Sequence, residues 1–370
     1  MKKIIVATAI SMFAVSSLFG AGTQAGTDIN NTATLSYSAG GVAQPTKDSN
    51  VDSFKVDKKV DMVLVTSDTN QTEVTPGQED RITNYEFRNE GNENQYFKFT
   101  VANLDNDKEA DYNSDKDNNQ VNNLEIKCTY KDADGNTQIA DWATEFTIQV
   151  KQDTNATCQV RADIKDAKTP SNTDGAEDQD IMNVELLATA VTDSSGNTAE
   201  TESANDTQDQ VDVVLADGVS DGTLGSSDSG KGDTAKDAKE AARSGYRVVT
   251  PVVDVTKTSC VISDPVNDTT NPKRIPGAII RYMFDIHNTG TGNMSDANIT
   301  DTISNNLSVD INNIHTKKDE NQTDACSCST EPNTDISGDT TVDNQDVTIE
   351  HINVENGGKH TCVSIETEVN

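Results

Sequence analysis

Period-2 alternation of apolar and polar residues constrains this chain more than any other feature, because it permits strands with one buried face and leaves almost no room for amphipathic helices. In "ITNYEF" the residues Thr83, Tyr85 and Phe87 share a face, and in "YFKFTV" Phe97, Phe99 and Val101 do. Further rows are Leu124, Ile126, Cys128 and Tyr130, then Phe146, Ile148 and Val150, then Cys158, Val160, Ala162 and Ile164. In the second half Ile280, Tyr282, Phe284 and Ile286 alternate with Arg281, Met283, Asp285 and His287. Asp134-Gly135 between two of these rows is a hairpin turn signal. Aromatics make up only 4% of the chain, so Val, Ile and Leu must supply the cores.

The opening "MKKIIVATAISMFAVSSLFGAGTQA" has two lysines, an apolar run and small residues before Ala25, which is the pattern of a bacterial secretory signal over residues 1–25. Cleavage there predicts an exported chain with no membrane-spanning segment after signal removal. Loss of Lys2 and Lys3 takes the formal charge from −33 to −35. A field of that sign repels phosphates and excludes nucleic acid as a partner.

In an exported chain the six cysteines read as disulfides. Cys128 and Cys158 lie on the apolar phase of their strands, so a buried bridge between them is expected. Cys260, Cys326, Cys328 and Cys362 leave three connectivities open. Cys326-Ser327-Cys328 is one residue short of a zinc knuckle.

An internal echo sets the domain plan. "TPGQEDRITNYEFRNEG" (75–91) and "IPGAIIRYMFDIHNTG" (275–290) each give Pro-Gly, a strand with Tyr-x-Phe, and Asn-x-Gly, and each follows a strand opening with Asp. Two related β-sandwich domains of immunoglobulin-like type follow, at 26–215 and 246–370. Between them residues 216–245 are rich in Gly, Ser and Asp and read as a flexible or partly helical linker. Within it Gly225, Gly230 and Lys231 fit G-x-x-x-x-G-K, but Gly232 stands where Ser or Thr would hold magnesium, and no strand delivers the loop.

The Pro-Gly, Asn-Thr-Gly and closing Thr-Asp of 248–303, with the opening "AGTDINNTATLSY" (25–37), make the chain resemble bacterial conserved-repeat surface proteins, which carry the domain of unknown function 11. The resemblance extends more loosely over 25–215, and Cys326, Cys328 and Cys362 lie outside its pattern. It implies an extracellular immunoglobulin-like sandwich with a structural or adhesive role and no catalytic residues.

Candidate chemistry is sparse. Asp105, Asp107, Asp111, Asp115 and Asp117, with Asp132 and Asp134, offer hard oxygens at D-x-D spacing for calcium, although no EF-hand frame is present and a solvated acidic loop is the preferred reading. Lys257 is in phase with Val253 and Val255, which suggests an isopeptide bond to an Asn of the last strand, or a lysine snorkelling to solvent. His287, His315, His351 and His360 accompany no hydrolase motif. The expectation is therefore a secreted acidic surface protein and not an enzyme. Its partners would be copies of itself, other surface proteins or glycans, with possible assembly into a fibre through strand edges. The alternative is a calcium-dependent module binding glycans or proteins, with a secreted hydrolase behind it.

Overall fold

A computed structural model describes residues 22–104, 120–218, 234–308 and 314–370. The expected signal up to residue 21, the acidic residues Asp105 to Asp117 and the Gly-rich stretch around Gly225 and Lys231 lie outside these. The described chain is all-β and divides into two compact units. The first draws on the residues up to Thr72, Glu79–Asp163 and Ile181–Tyr246; the second on Glu73–Gln78, Ile164–Asp180 and Arg247–Asn370.

Seven strands carry the frame of the first unit: β1 Met62–Thr66, β2 Arg81–Asn89, β3 Gln95–Asn103, β4 Asn122–Lys131, β5 Thr137–Ala143, β6 Glu145–Val150 and β7 Asn155–Asp163. One sheet runs β5-β4-β7-β2-β1, and β6 and β3 are neighbours in the other. The alternating rows bury as their period requires: Thr83, Tyr85, Phe87, Phe97, Phe99, Ile126, Val150 and Val160 are all at most 1% exposed. Phe87 projects from one sheet and meets Phe97 and Phe99 of the other at centroid distances of 4.8 and 5.1 Å, edge to face, so two layers close on one core. Cys128 and Cys158 are direct register partners on β4 and β7, with Cα atoms 4.1 Å apart, and form the expected bridge inside that core.

The second sheet continues with β8 Ile181–Val191 and β9 Lys239–Val248. This corrects the linker expectation, because residues 239–245 form a strand with Ala241, Ala242 and Ser244 buried. Ala216 N–H donates to Val60 O, and the Asp217 carboxylate accepts from the N–H groups of Asp237 and Ala238. Both described flanks of the Gly-rich stretch are thus built into the first unit. The division also differs from two continuous domains, since residues 73–78 and 164–180 belong to the second unit.

The second unit repeats the frame with β10 Val253–Ser263, β11 Ile279–Asn288, β12 Met294–Thr302, β13 His315–Gln322, β14 Thr334–Asp335, β15 Thr340–Asp343, β16 Asp346–Val354 and β17 Lys359–Glu368. Its sheets run β10-β11-β17-β13-β14 and β12-β16-β15. Setting aside the added β15, strands one to seven stand in the same order in both units: 1-2-7-4-5 in one sheet, with 3 beside 6 in the other. An immunoglobulin constant domain shares this two-layer architecture but places its fifth strand beside the second; here the seventh stands there. Ile280, Phe284, Ile286, Val363 and Ile365 of one sheet pack with Val347, Ile349, Ile352 and Val354 of the other.

The internal echo has a structural cause. Asn89 and Asn288 end the second strand of each frame and are fully buried. The Asn89 amide donates to Glu93 O and Val150 O, and its oxygen accepts from Gly91 N–H. The Asn288 amide donates to Gly292 O, Val354 O and Glu355 O, and its oxygen accepts from the N–H groups of Gly290 and Val252. Each Asn ties the end of strand two to the end of strand six in the opposite sheet. The glycine two residues on is required because a Cβ would lie 2.5 Å from Lys59 O at Gly91 and 2.3 Å from Thr250 O at Gly290.

Candidate interaction surfaces

Residues 28–55 fold into one long hairpin arm. Three short ladders build it: Asp28–Asn31 with Asp52–Lys55, Thr34–Leu35 with Lys47–Asp48, and Ser38–Ala39 with Val42–Ala43. Gly40 and Gly41, both at positive φ, make the turn at its tip. The base is anchored, since Lys55 N–H donates to Gln208 O and the Gln208 amide to Ser53 O and the Asp52 carboxylate. Every residue from Asn30 to Val42 is exposed. From Thr32 the first strand alternates strictly, with Ala33, Leu35, Tyr37 and Ala39 apolar and Thr32, Thr34, Ser36 and Ser38 polar; Ile29 keeps the same phase nearer the base, and Asn31 interrupts it. Leu35 is 60% exposed, Tyr37 44%, Val42 65%, Val51 57% and Phe54 46%. The sequence carried this signal as strict alternation running into Gly-Gly, but alternation predicts a buried face and says nothing of a face left bare.

A second surface is the outward face of β11 in the second unit. Cys260 pairs with Cys328, and Cys326 with Cys362, which resolves the three connectivities. Since β10 and β17 flank β11, the segment Cys326-Ser327-Cys328 is a strap stapled across that strand on both sides. Beneath it Met283 and Arg281 are 1% and 4% exposed, although alternation placed both on the polar phase. The Arg281 guanidinium donates to Cys328 O and bridges Glu331 and Glu366, which pins the strap a third time. Farther along the same face His287 stacks on His360, rings 4.1 Å apart and parallel, and His360 Nδ1 lies 2.7 Å from Asp285 Oδ1.

The remaining candidates take structural places. Asp132 turns the β4–β5 hairpin: its carboxylate accepts from the N–H groups of Asp134 and Asn136 and from the Gln138 amide, which together hold its carboxyl below the usual range. Asp134 sits in the same turn. Among the described residues no group of three or more His, Cys, Asp or Glu is arranged to hold a metal ion.

The Lys257 ammonium lies 2.6 Å from both carboxylate oxygens of Asp301 on β12 and 4.4 Å from the centre of the Tyr282 ring. This corrects the crosslink expectation. Lys257 closes the open side between the two sheets as an ion pair, 39% exposed, whereas the Asn370 amide donates to Asn305 O.

No family model matches the chain, and no curated protein does. Among solved structures the chain is similar to the CupB6 tip adhesin from Pseudomonas aeruginosa, at 8% identity and a TM-score of 0.24, over 84% of this chain and 88% of that one. It is also similar to the W96Y oxalate decarboxylase of Bacillus subtilis, at 10% identity and a TM-score of 0.09, over 83% and 77%. At those scores neither likeness carries an argument about fold or role. The resemblance to conserved-repeat surface proteins rests on the residues quoted for it.

Proposed function

We propose that this chain is an exported surface protein that acts by contact, in a structural or adhesive role, and not by turning over a substrate. The observation that carries this reading is the arm of residues 28–55, an ordered hairpin that holds Leu35, Tyr37, Val42 and Phe54 in solvent. Exposed apolar side chains gathered on one element mark an interaction site. The pairing of all six cysteines supports an oxidising compartment, as export requires. The partners in this reading are other copies of the chain, surface proteins or glycans.

The test is protease treatment of intact cells producing the native chain, followed by thiol alkylation of the recovered protein. The expected result is a protein cut from the outside, with no cysteine alkylated before reduction. A chain protected inside the cell with reactive thiols overturns the proposal.

A further inference from the structure

A two-stranded hairpin is marginal in water by itself and needs a third strand or a packed layer to persist. Among the described residues the arm has neither. Its ladders are short, and every hydrogen bond described for residues 31–51 other than the ladder partner at Asp52 stays inside the hairpin, as with Ser49 N–H to Ala33 O and Thr34 to Asp48. Five of the thirteen large hydrophobic side chains exposed among the described residues sit on it. By register Leu35, Tyr37, Val42 and Phe54 share the face of Ile29, while Val51, three residues from Phe54, turns to the other; from their fractional exposures the four present roughly 400 Å² of surface, within the range at which a patch marks an interface.

We propose that this face is covered by the same face of a second copy of the chain, arm against arm about a two-fold axis. The inference rests on the contact reading above and names its partner. Charge selects that occupant. Residues 28–55 contain Asp28, Asp48 and Asp52 against Lys47 and Lys55, a net of −1 in a chain of −33. Asp28 and Lys55 neutralise one another at 2.7 Å. A cationic partner would be drawn to the acidic body, whereas two like copies repel everywhere except through a nearly neutral element. A two-fold contact is self-complementary, so an apolar face needs only itself. These four side chains alone would bury roughly 800 Å² over two arms, the scale of a weak, transient interface.

The experiment is sedimentation equilibrium of the full exported chain from about 1 μM to about 1 mM, beside Leu35→Asp/Val42→Asp. Both side chains are exposed, so the variant keeps the fold, checked by an unchanged far-UV spectrum. Wild type is expected to dimerise, more tightly as salt screens the net negative charge, and the variant to dimerise at least about 30-fold more weakly. As a second measurement, Tyr37→Cys should give a disulfide-linked dimer on mild oxidation, and Ile139→Cys, at an exposed site in the body of the first unit, should not. A wild type monomeric throughout, or a variant as dimeric as wild type, overturns the proposal. A monomer found on the cell surface sinks the arm pairing and leaves the contact role standing; a dimer confined inside the cell does the reverse.

Discussion

Replacing Asn288 with alanine tests the claim that the Asn-x-Gly echo is a corner that holds two layers together. The side chain is fully buried and engages five backbone groups. Alanine leaves Gly290 N–H without that acceptor and Val354 O without that donor, at a fully buried position. Each buried group orphaned in this way costs about 1–3 kcal/mol, so the two together should cost about 2–6 kcal/mol. For a unit of this size that corresponds to a fall of roughly 10 °C in its unfolding temperature. Calorimetry on the full chain reads it, and Asn89→Ala supplies the matched case, because Asn89 makes the counterparts of three of those five bonds in the first unit. Each variant should lower the transition of its own unit. A loss below about 1 kcal/mol in both would mean that the corners follow from the packing and do not hold it.

Three further outcomes follow from the same geometry. Removing the Cys326–Cys362 bridge, which closes 36 residues, should cost the second unit about 4 kcal/mol by the chain-entropy estimate; a change under about 1 kcal/mol by denaturant unfolding would show that Cys260–Cys328 and Arg281 hold the strap without it. Burial pulls the Asp264 carboxyl upward, but N–H groups of Asn267, Lys273 and Val266 and the Asn267 amide outweigh it and hold it at about 2. Because the folded value is depressed, its contribution is present above the unfolded value near 4 and is lost as pH falls through about 2; Asp264→Asn should therefore be less stable than wild type at pH 5 and converge with it at pH 2, and a constant difference at both pH values counts against this account. EDTA is expected to leave both thermal transitions in place, since Asp132 and Asp264 are satisfied by N–H donors; a fall of several degrees reversed by calcium would favour the calcium-dependent alternative and point to Asp105–Asp117.

Much of the frame was legible because its strands bury one face. Thr83, Tyr85 and Phe87 declare a period of two, and so do Phe97 and Phe99. The residue phase of Cys128 and Cys158 also sufficed to pair them. The strand Lys239–Val248 was not legible, for a physical reason. It is buried on nearly every residue, including Glu240, Arg243 and Ser244, so it need not alternate, and its Ala-, Glu- and Lys-rich start favours helix in isolation. Tertiary context overrides that preference: the Arg243 guanidinium meets the Glu185 carboxylate at 3.0 Å, and the Tyr246 hydroxyl donates to Arg81 O. Met283 misled in the opposite sense. Alternation sent it to solvent, and only the second pair of disulfides, whose connectivity spacing cannot fix, brings a cover over it.

The two units solve one problem differently. Both have the same strand order and the same buried asparagine, yet the first places its disulfide inside the sandwich and the second places two outside. In the first core Phe87 meets both Phe97 and Phe99, and Tyr85 and Tyr246 are fully buried as well. The second is built from Val, Ile and Leu around Phe284 alone, with Tyr282 half-buried. Large aromatic side chains contribute most to burial per residue, and a thin core leaves a small domain dependent on covalent ties. A strap stapled at Cys260 and Cys362 adds a third layer over β11, burying Met283 and Arg281 on the face that a two-layer sandwich leaves wet. Where side-chain volume is short, the chain gains buried surface by doubling back, and it fixes that extra layer with two cysteine pairs that have no counterpart in the first unit.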